Sequence, residues 1–246
     1  MLFSLTFLLK IRFFVILIVD TIGTVDDLIE KYEQKYKNIS DFQLRFFNKF
    51  IKNCKTIETT LDNCIVKANT GADAIQKAPI VSYKTNCKCV RVGDFTNNRN
   101  LNEWAYCKIT DKNFKNYHLL KDDILITRTA SIGLVKFIFK DISAVYNNGI
   151  IRIKANEKVI KPILLYLICI SEKFVNYINE NVSGSSTRPN MKIDYVLKYK
   201  LSIPTITEQN NIENKLLLLE QLKYNIESKI DKLKQTKELL LKKYFG

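Results

Sequence analysis

The sequence predicts an α+β protein: one mixed α/β domain flanked by two long helices that pair with each other. Three observations predict it. Near the C-terminus, apolar residues recur at Leu219, Leu222, Ile226, Ile230, Leu233, Leu240 and Tyr244, in steps of three, four or seven that draw one stripe along a helix. Subtracting 194 from each number gives Val25, Leu28, Tyr32, Tyr36, Ile39, Phe46 and Phe50, all apolar, while the polar gap at Thr236 falls on Phe42. Between the two stripes the pattern changes to short β-rich runs separated by polar clusters.

The elements follow in order. Residues 1–20 form an apolar leader interrupted by Lys10 and Arg12. Its longest uncharged run is about nine residues against the roughly 20 of a membrane helix, and no A-x-A-like cleavage site follows Val19. It reads as the tail of an upstream strand or helix, or as a start inside a longer frame, with an anchor or signal as the alternative. Residues 21–53 hold the first stripe helix, opened by Asp26 and Asp27, where carboxylates favour the positive helix end. The run from Val25 to Ile51 would span about 40 Å at 1.5 Å per residue. One apolar stripe on so long a helix calls for a partner helix, and the matching stripe is the C-terminal one.

Residues 54–204 form the mixed domain. Cys87–Val92, Ile124–Thr127, Leu134–Phe139 and Ile150–Ile153 are the expected strands, and Thr96–Asn100 and Tyr146–Gly149 the expected turns. Pro162–Tyr177 reads as one buried helix. Pro204 ends the last strand, and residues 205–246 form the second long helix, with Thr207, Glu208 and Gln209 at its start.

Composition narrows the partners. With 39 Lys plus Arg against 25 Asp plus Glu, the formal charge of +14 points to a polyanion, either nucleic acid or an anionic membrane surface. Six dispersed cysteines without C-x-x-C knuckles read as buried or idle thiols rather than a metal site, and reduced thiols suit a cytoplasmic protein. His118 is the single histidine, which argues against triads and histidine-based metal centres. Neither G-x-x-x-x-G-K-[ST] nor G-x-G-x-x-G occurs, and the only Glu-x-Lys pairs, Glu33/Lys35 and Glu227/Lys229, lie on the long helices, where such neighbours point apart. The chain therefore reads as a binder, not an enzyme.

Candidate binding residues are the scarce arginines and the amides in polar turns. Asn181–Lys192 is the most polar loop, and its Ser185, Thr187, Arg188 and Asn190 could supply donors to phosphates or base edges. Arg pairs bidentately with guanine and Asn with adenine, which puts Arg128, Asn147, Asn148, Arg188 and Asn190 first, and Arg99 after them. The competing reading makes the asparagines turn formers, the hydroxyl residues backbone caps and Arg128 one half of a buried structural pair.

The order of parts then resembles a known family. Residues 120–133 (LKDDILITRTASIG), the loop 183–190 (GSSTRPN after Ser183) and Leu201-Ser202-Ile203-Pro204 followed by Glu208-Gln209 are similar, in sequence order, to the three recurrent marks of the specificity (S) subunit of type I restriction-modification systems. The likeness extends over about Thr21 to Phe245. Asp122 and Ala130 stand where the family commonly has Gly, and Thr205 where it has a second Pro. Full-length members carry two target recognition domains, whereas this chain carries one, so it looks like the second half of an S subunit; residues 1–20 resemble nothing in the family.

What the resemblance implies is an antiparallel coiled coil of the two helices beside one target recognition domain. It also implies double-stranded DNA, methyltransferase (M) subunits and a restriction/translocase (R) subunit as partners, with either a second copy of the chain or a separate half-subunit completing a two-part target. No cofactor is expected in this chain; S-adenosylmethionine, ATP and Mg would belong to partner subunits. The alternatives are a truncated remnant and a helical assembly protein that holds nucleic acid without sequence preference.

Overall fold

The long apolar-striped segments are each a single helix. In the computed structural model, which describes residues 2–182 and 190–245 and the side chains of 18–181 and 190–245, α1 runs over Leu2–Asn53 without a break at the 20/21 boundary. There follow β1 (Thr56–Thr60), β2 (Ile65–Thr70), β3 (Ile80–Val81), β4 (Lys88–Val90), α2 (Val92–Thr96), β5 (Ala105–Cys107) and α3 (Asp111–Tyr117). Next come β6 (Ile124–Thr127), β7 (Val135–Phe137), β8 (Ala144–Tyr146), β9 (Ile150–Ala155), α4 (Pro162–Cys169) and α5 (Glu172–Val182). The chain finishes with α6 (Ile193–Leu197), β10 (Lys200–Pro204) and α7 (Ile206–Phe245). Two compact units result, residues 1–42 with 222–246 and residues 43–221. Among the described residues, no helix is long and apolar enough to cross a membrane.

In the first unit the helices are antiparallel. Asp26 bridges Lys237 at 2.6 Å, Lys229 lies 5.4 Å from the Tyr32 ring and Lys223 5.6 Å from the Tyr36 ring, so partner numbers fall along α7 as they rise along α1. The stripe itself needs correction. Ile226 and Ile230 are buried and Tyr32, Tyr36, Ile39, Phe46, Leu219, Leu233 and Leu240 half-buried, but Leu28 and Leu222 are 38% and 42% exposed. On α7 the seam passes instead through Glu220 and Lys223, both buried, and on α1 through Gln43 and Phe47. Within the second unit the Gln43 amide donates to Leu216 O at 3.2 Å and to Glu220 Oε2 at 3.3 Å. Polar residues at seam positions are invisible to an apolar pattern, so the stripe took in exposed Leu28 and Leu222 and passed over Gln43, Glu220 and Lys223.

The second unit is built on two four-stranded sheets and a short ribbon. Strands β2, β9, β6 and β7 are antiparallel neighbours in that order; β3, β5, β4 and β8 form the other sheet, closed by the parallel pair β4 and β8. The ribbon pairs β1 with β10, Thr56 opposite Pro204 and Thr60 opposite Lys200. The run Ile124-Leu125-Ile126-Thr127 is wholly buried because β6 is covered on both faces. Ile124 and Ile126 join α4, α5 and the start of α7 in the main core, while Leu125 faces Trp104, Leu119 and Tyr146 in a second core.

The expected helix over Pro162–Tyr177 is two helices. Ser171 accounts for the break: its hydroxyl donates to Ile168 O at 2.7 Å and accepts from Phe174 N, ending α4 and capping α5. The final helix is capped by reciprocal bonds. Thr205 N and Oγ1 donate to Glu208 Oε2 at 3.2 and 3.1 Å, and Glu208 N donates back to Thr205 Oγ1. Thr205, which replaces the family's Pro, thus supplies the cap.

Asp122 and Ala130 adopt φ of 68° and 56°. Both stand where the family commonly has Gly, and a Cβ in this region costs about 1–2 kcal/mol. Ala130→Gly, at an exposed tip, is therefore expected to stabilise the fold by about 0.5–1 kcal/mol after the added unfolded-chain entropy. The check is a rise of a few degrees in Tm; a fall would show that the Ala130 methyl contributes packing.

Candidate nucleic-acid interface

The turn after β8 and the hairpin after β6 are drawn together by the backbone. Gly71, just past β2, approaches so closely that a Cβ there would lie 2.2 Å from Tyr146 O and 2.3 Å from Asn147 O; at Gly149 a Cβ would lie 2.7 Å from Thr129 Oγ1. Ala72 N donates to Tyr146 O and Asn148 N to Ala72 O, at 2.8 and 2.9 Å. The β6 hairpin is closed by Thr127, whose hydroxyl donates to Ser131 O and accepts from Leu134 N. Gly71→Ala is expected to cost about 2–3 kcal/mol, since backbone rather than a flexible side chain must give way. Chemical denaturation reads this directly, and an unchanged midpoint would contradict the close approach.

Arg128 sits where these pieces meet. Its backbone N donates to Gly149 O (2.8 Å) and its O accepts from Met191 N (2.8 Å). Its Nε donates to Met191 O at 2.9 Å and Nη1 to Asn148 O at 3.3 Å. Thr129 forms a β-bridge with Asn190. Of the candidate readers, the structure therefore gathers Arg128, Asn147, Asn148 and Asn190. Asn148 and Asn190 are exposed; Asn147 is half-buried, and its Oδ1 is buried without a hydrogen-bond partner among the described residues. Ser185, Thr187 and Arg188 lie outside the described residues.

Arg99 is held apart from this group. Its guanidinium lies 3.5 Å from buried Asp94, and its carbonyl accepts from Trp104 Nε1 and Lys136 Nζ. Arg91 also faces Asp94, at 3.9 Å. Arg152 is 6% exposed and reaches Asp123 at 3.5 Å, His118 O at 2.8 Å and Asn69 Oδ1 at 3.3 Å. Arg128 and Arg152 thus tie separate segments together and Arg91 and Arg99 flank buried Asp94, which charge alone could not reveal.

Several lysines are committed too. Lys88 Nζ donates to Leu101 O and Asn102 O over the Tyr106 ring, Lys136 lies over Phe95 and Trp104, and Lys161 bridges Glu213 at 3.1 Å. These contacts leave the net charge of +14 unchanged but tie the ammonium groups to the protein. All cysteines are free, and burial pushes the Cys64 thiol up to about 11 and Cys169 higher. Among the described residues, no group of three His, Cys, Asp or Glu is placed to hold a metal ion.

Comparison with known proteins places this arrangement. A family model described as the type I restriction modification DNA specificity domain matches residues 86–235. Among solved structures, the type I restriction-modification S subunit from M. genitalium is similar at 15% identity and TM-score 0.65, over 93% of this chain and 60% of that one. The HsdS subunit from Thermoanaerobacter tengcongensis matches at 12% identity and TM-score 0.46, over 95% and 57%. A structure describing complex assembly and conformational transition of the type I R-M system matches at 13% identity and TM-score 0.48, over 91% and 57%. The chain spans about three fifths of the length of these structures. By the match over residues 86–235, which takes in β4 to β10, Arg128 and most of α7, the chain belongs to the type I restriction modification DNA specificity domain family.

Proposed function

We propose that this chain is a non-catalytic specificity subunit that reads one half of a bipartite double-stranded DNA target. The observation that carries the reading is the family match through residues 86–235, which covers the Arg128 junction and α7 together. In this reading the turn at Asn147 and Asn148, the bridge at Asn190 and the loop residues Ser185, Thr187 and Arg188 contact bases and phosphates. Arg128 supports those contacts from the joint between the two segments, and Arg99, held apart beside Asp94, meets the phosphate backbone farther off. Lysines add salt-dependent affinity without sequence preference.

The helices α1 and α7 act as a ruler and dock the methyltransferase subunits of a cytoplasmic complex, with a restriction/translocase subunit joining them. S-adenosylmethionine, ATP and Mg then bind partner subunits. At 1.5 Å per residue the 40 residues of α7 span about 60 Å, more than one DNA turn of about 34 Å, which suits two half-sites separated by a spacer. One recognition domain reads one half-site, so the other is read by a second copy or by a separate half-subunit; two copies give a symmetric split site.

Mapping methylated bases in DNA from cells that express this chain with its methyltransferase subunit tests the proposal. The expected result is methylation confined to one split motif that disappears when the chain is deleted. Methylation that persists unchanged without the chain would refute the reading.

A further inference from the structure

We infer that Arg128 is a positioning residue, not a base reader: it sets Asn148 and Asn190 relative to each other, and those two exposed amides read adjacent parts of the half-site. The inference rests on the specificity reading above. Its basis is the way the four hydrogen bonds of Arg128 are divided. Two go to the turn after β8, from its backbone N to Gly149 O and from Nη1 to Asn148 O; two go to Met191, one to its carbonyl and one from its amide. Asn190, next to Met191, is bridged to Thr129, next to Arg128.

A guanidinium that reads guanine must aim two donors at O6 and N7. Here Nε and Nη1 already face two protein carbonyls from different segments, so these two donors of the fork are used across the joint. The residues on either side of the joint end in exposed Asn side chains, whose amides pair with adenine. Lysine has a single ammonium and no planar fork, so it cannot reproduce the tie between both segments.

The test measures affinities of the full chain, with its methyltransferase subunit, for its preferred duplex and every single-base variant of it. Asn148→Ala is expected to relax discrimination at one base pair and Asn190→Ala at another, each by roughly tenfold. Arg128→Ala is expected to relax both positions together, and adding Asn148→Ala to it should produce little further change. Arg128→Lys, the substitute where the alanine variant does not fold, is expected to relax the same two positions.

Loss of discrimination at a single base pair shared with neither asparagine would make Arg128 a reader and overturn the inference. So would equal weakening on all duplexes with every preference kept, which is what a merely structural arginine would show. Absence of any preferred duplex for the unsubstituted chain would overturn the specificity reading itself, a result distinct from the other two.

Discussion

Replacing Arg152 by methionine is expected to lower the unfolding free energy by about 4 kcal/mol, because it strands a buried carboxylate. Asp123 is 1% exposed; its Oδ2 accepts from Leu120 N at 2.9 Å and from Arg152, while its Oδ1 has no partner among the described residues. The guanidinium also donates to His118 O and Asn116 O and lies 5.2 Å from the Tyr146 ring. Methionine fills similar volume and restores none of this. Burial already raises the Asp123 pKa, and Arg152 opposes that shift; without the cation the carboxyl rises further.

A raised folded pKa means stability that is full below the unfolded value of about 4 and is lost as pH climbs through the folded one. The deficit of Arg152→Met against the parent is thus expected to be largest at neutral pH and to shrink as pH falls toward 4. Denaturant titrations at several pH values check it. The double variant Arg152→Met with Asp123→Leu should recover most of the loss. A deficit independent of pH would show that lost packing, not the stranded charge, is responsible.

The second large effect is expected at Gln209. This buried side chain accepts from Lys161 N at 2.8 Å and donates to Val159 O at 2.9 Å and Pro204 O at 2.8 Å, joining the segment before α4, the end of β10 and the first turn of α7. Gln209→Leu keeps the volume and leaves three backbone groups without partners, at about 1–3 kcal/mol each for those that stay dry. A total of about 4 kcal/mol would lower Tm by roughly 10 °C in a domain of this size. Gln209→Glu, which keeps one acceptor but turns a buried carboxylate oxygen toward the Val159 and Pro204 carbonyls, should cost at least as much as Leu at neutral pH. Unchanged melting of the Leu variant would mean that these groups find water instead.

These two residues mark where the sequence was hard to read. The strand at Ile124–Thr127 was legible because a strand covered on both faces needs an unbroken apolar run. The strand at Thr56–Thr60 was not, since it pairs with β10 alone and carries Glu58 and three threonines. In the helices, Leu28 and Leu222 continued the apolar rhythm while the seam passed through Gln43, Glu220 and Lys223, polar residues that no hydropathy pattern selects. Arginine scarcity drew attention to Arg128, yet composition cannot tell an arginine that faces DNA from one that faces Met191 and Asn148. Asp122 and Ala130 were legible in another way: each stands at a position the family usually gives to Gly, and each has a positive φ.

The measurement that tests the central claim most directly is selection of bound duplexes from a randomised DNA pool, using the chain purified with the proposed methyltransferase partner at near-physiological salt. Enrichment of a split motif, two short half-sites around a spacer of fixed length, is the expected result. A palindromic motif would mean that the chain pairs with itself, and an asymmetric one that a different half-subunit completes the complex. Binding that is salt-dependent but equal on all duplexes, from soluble and folded protein, would contradict the claim and leave a helical assembly protein that holds nucleic acid without reading it.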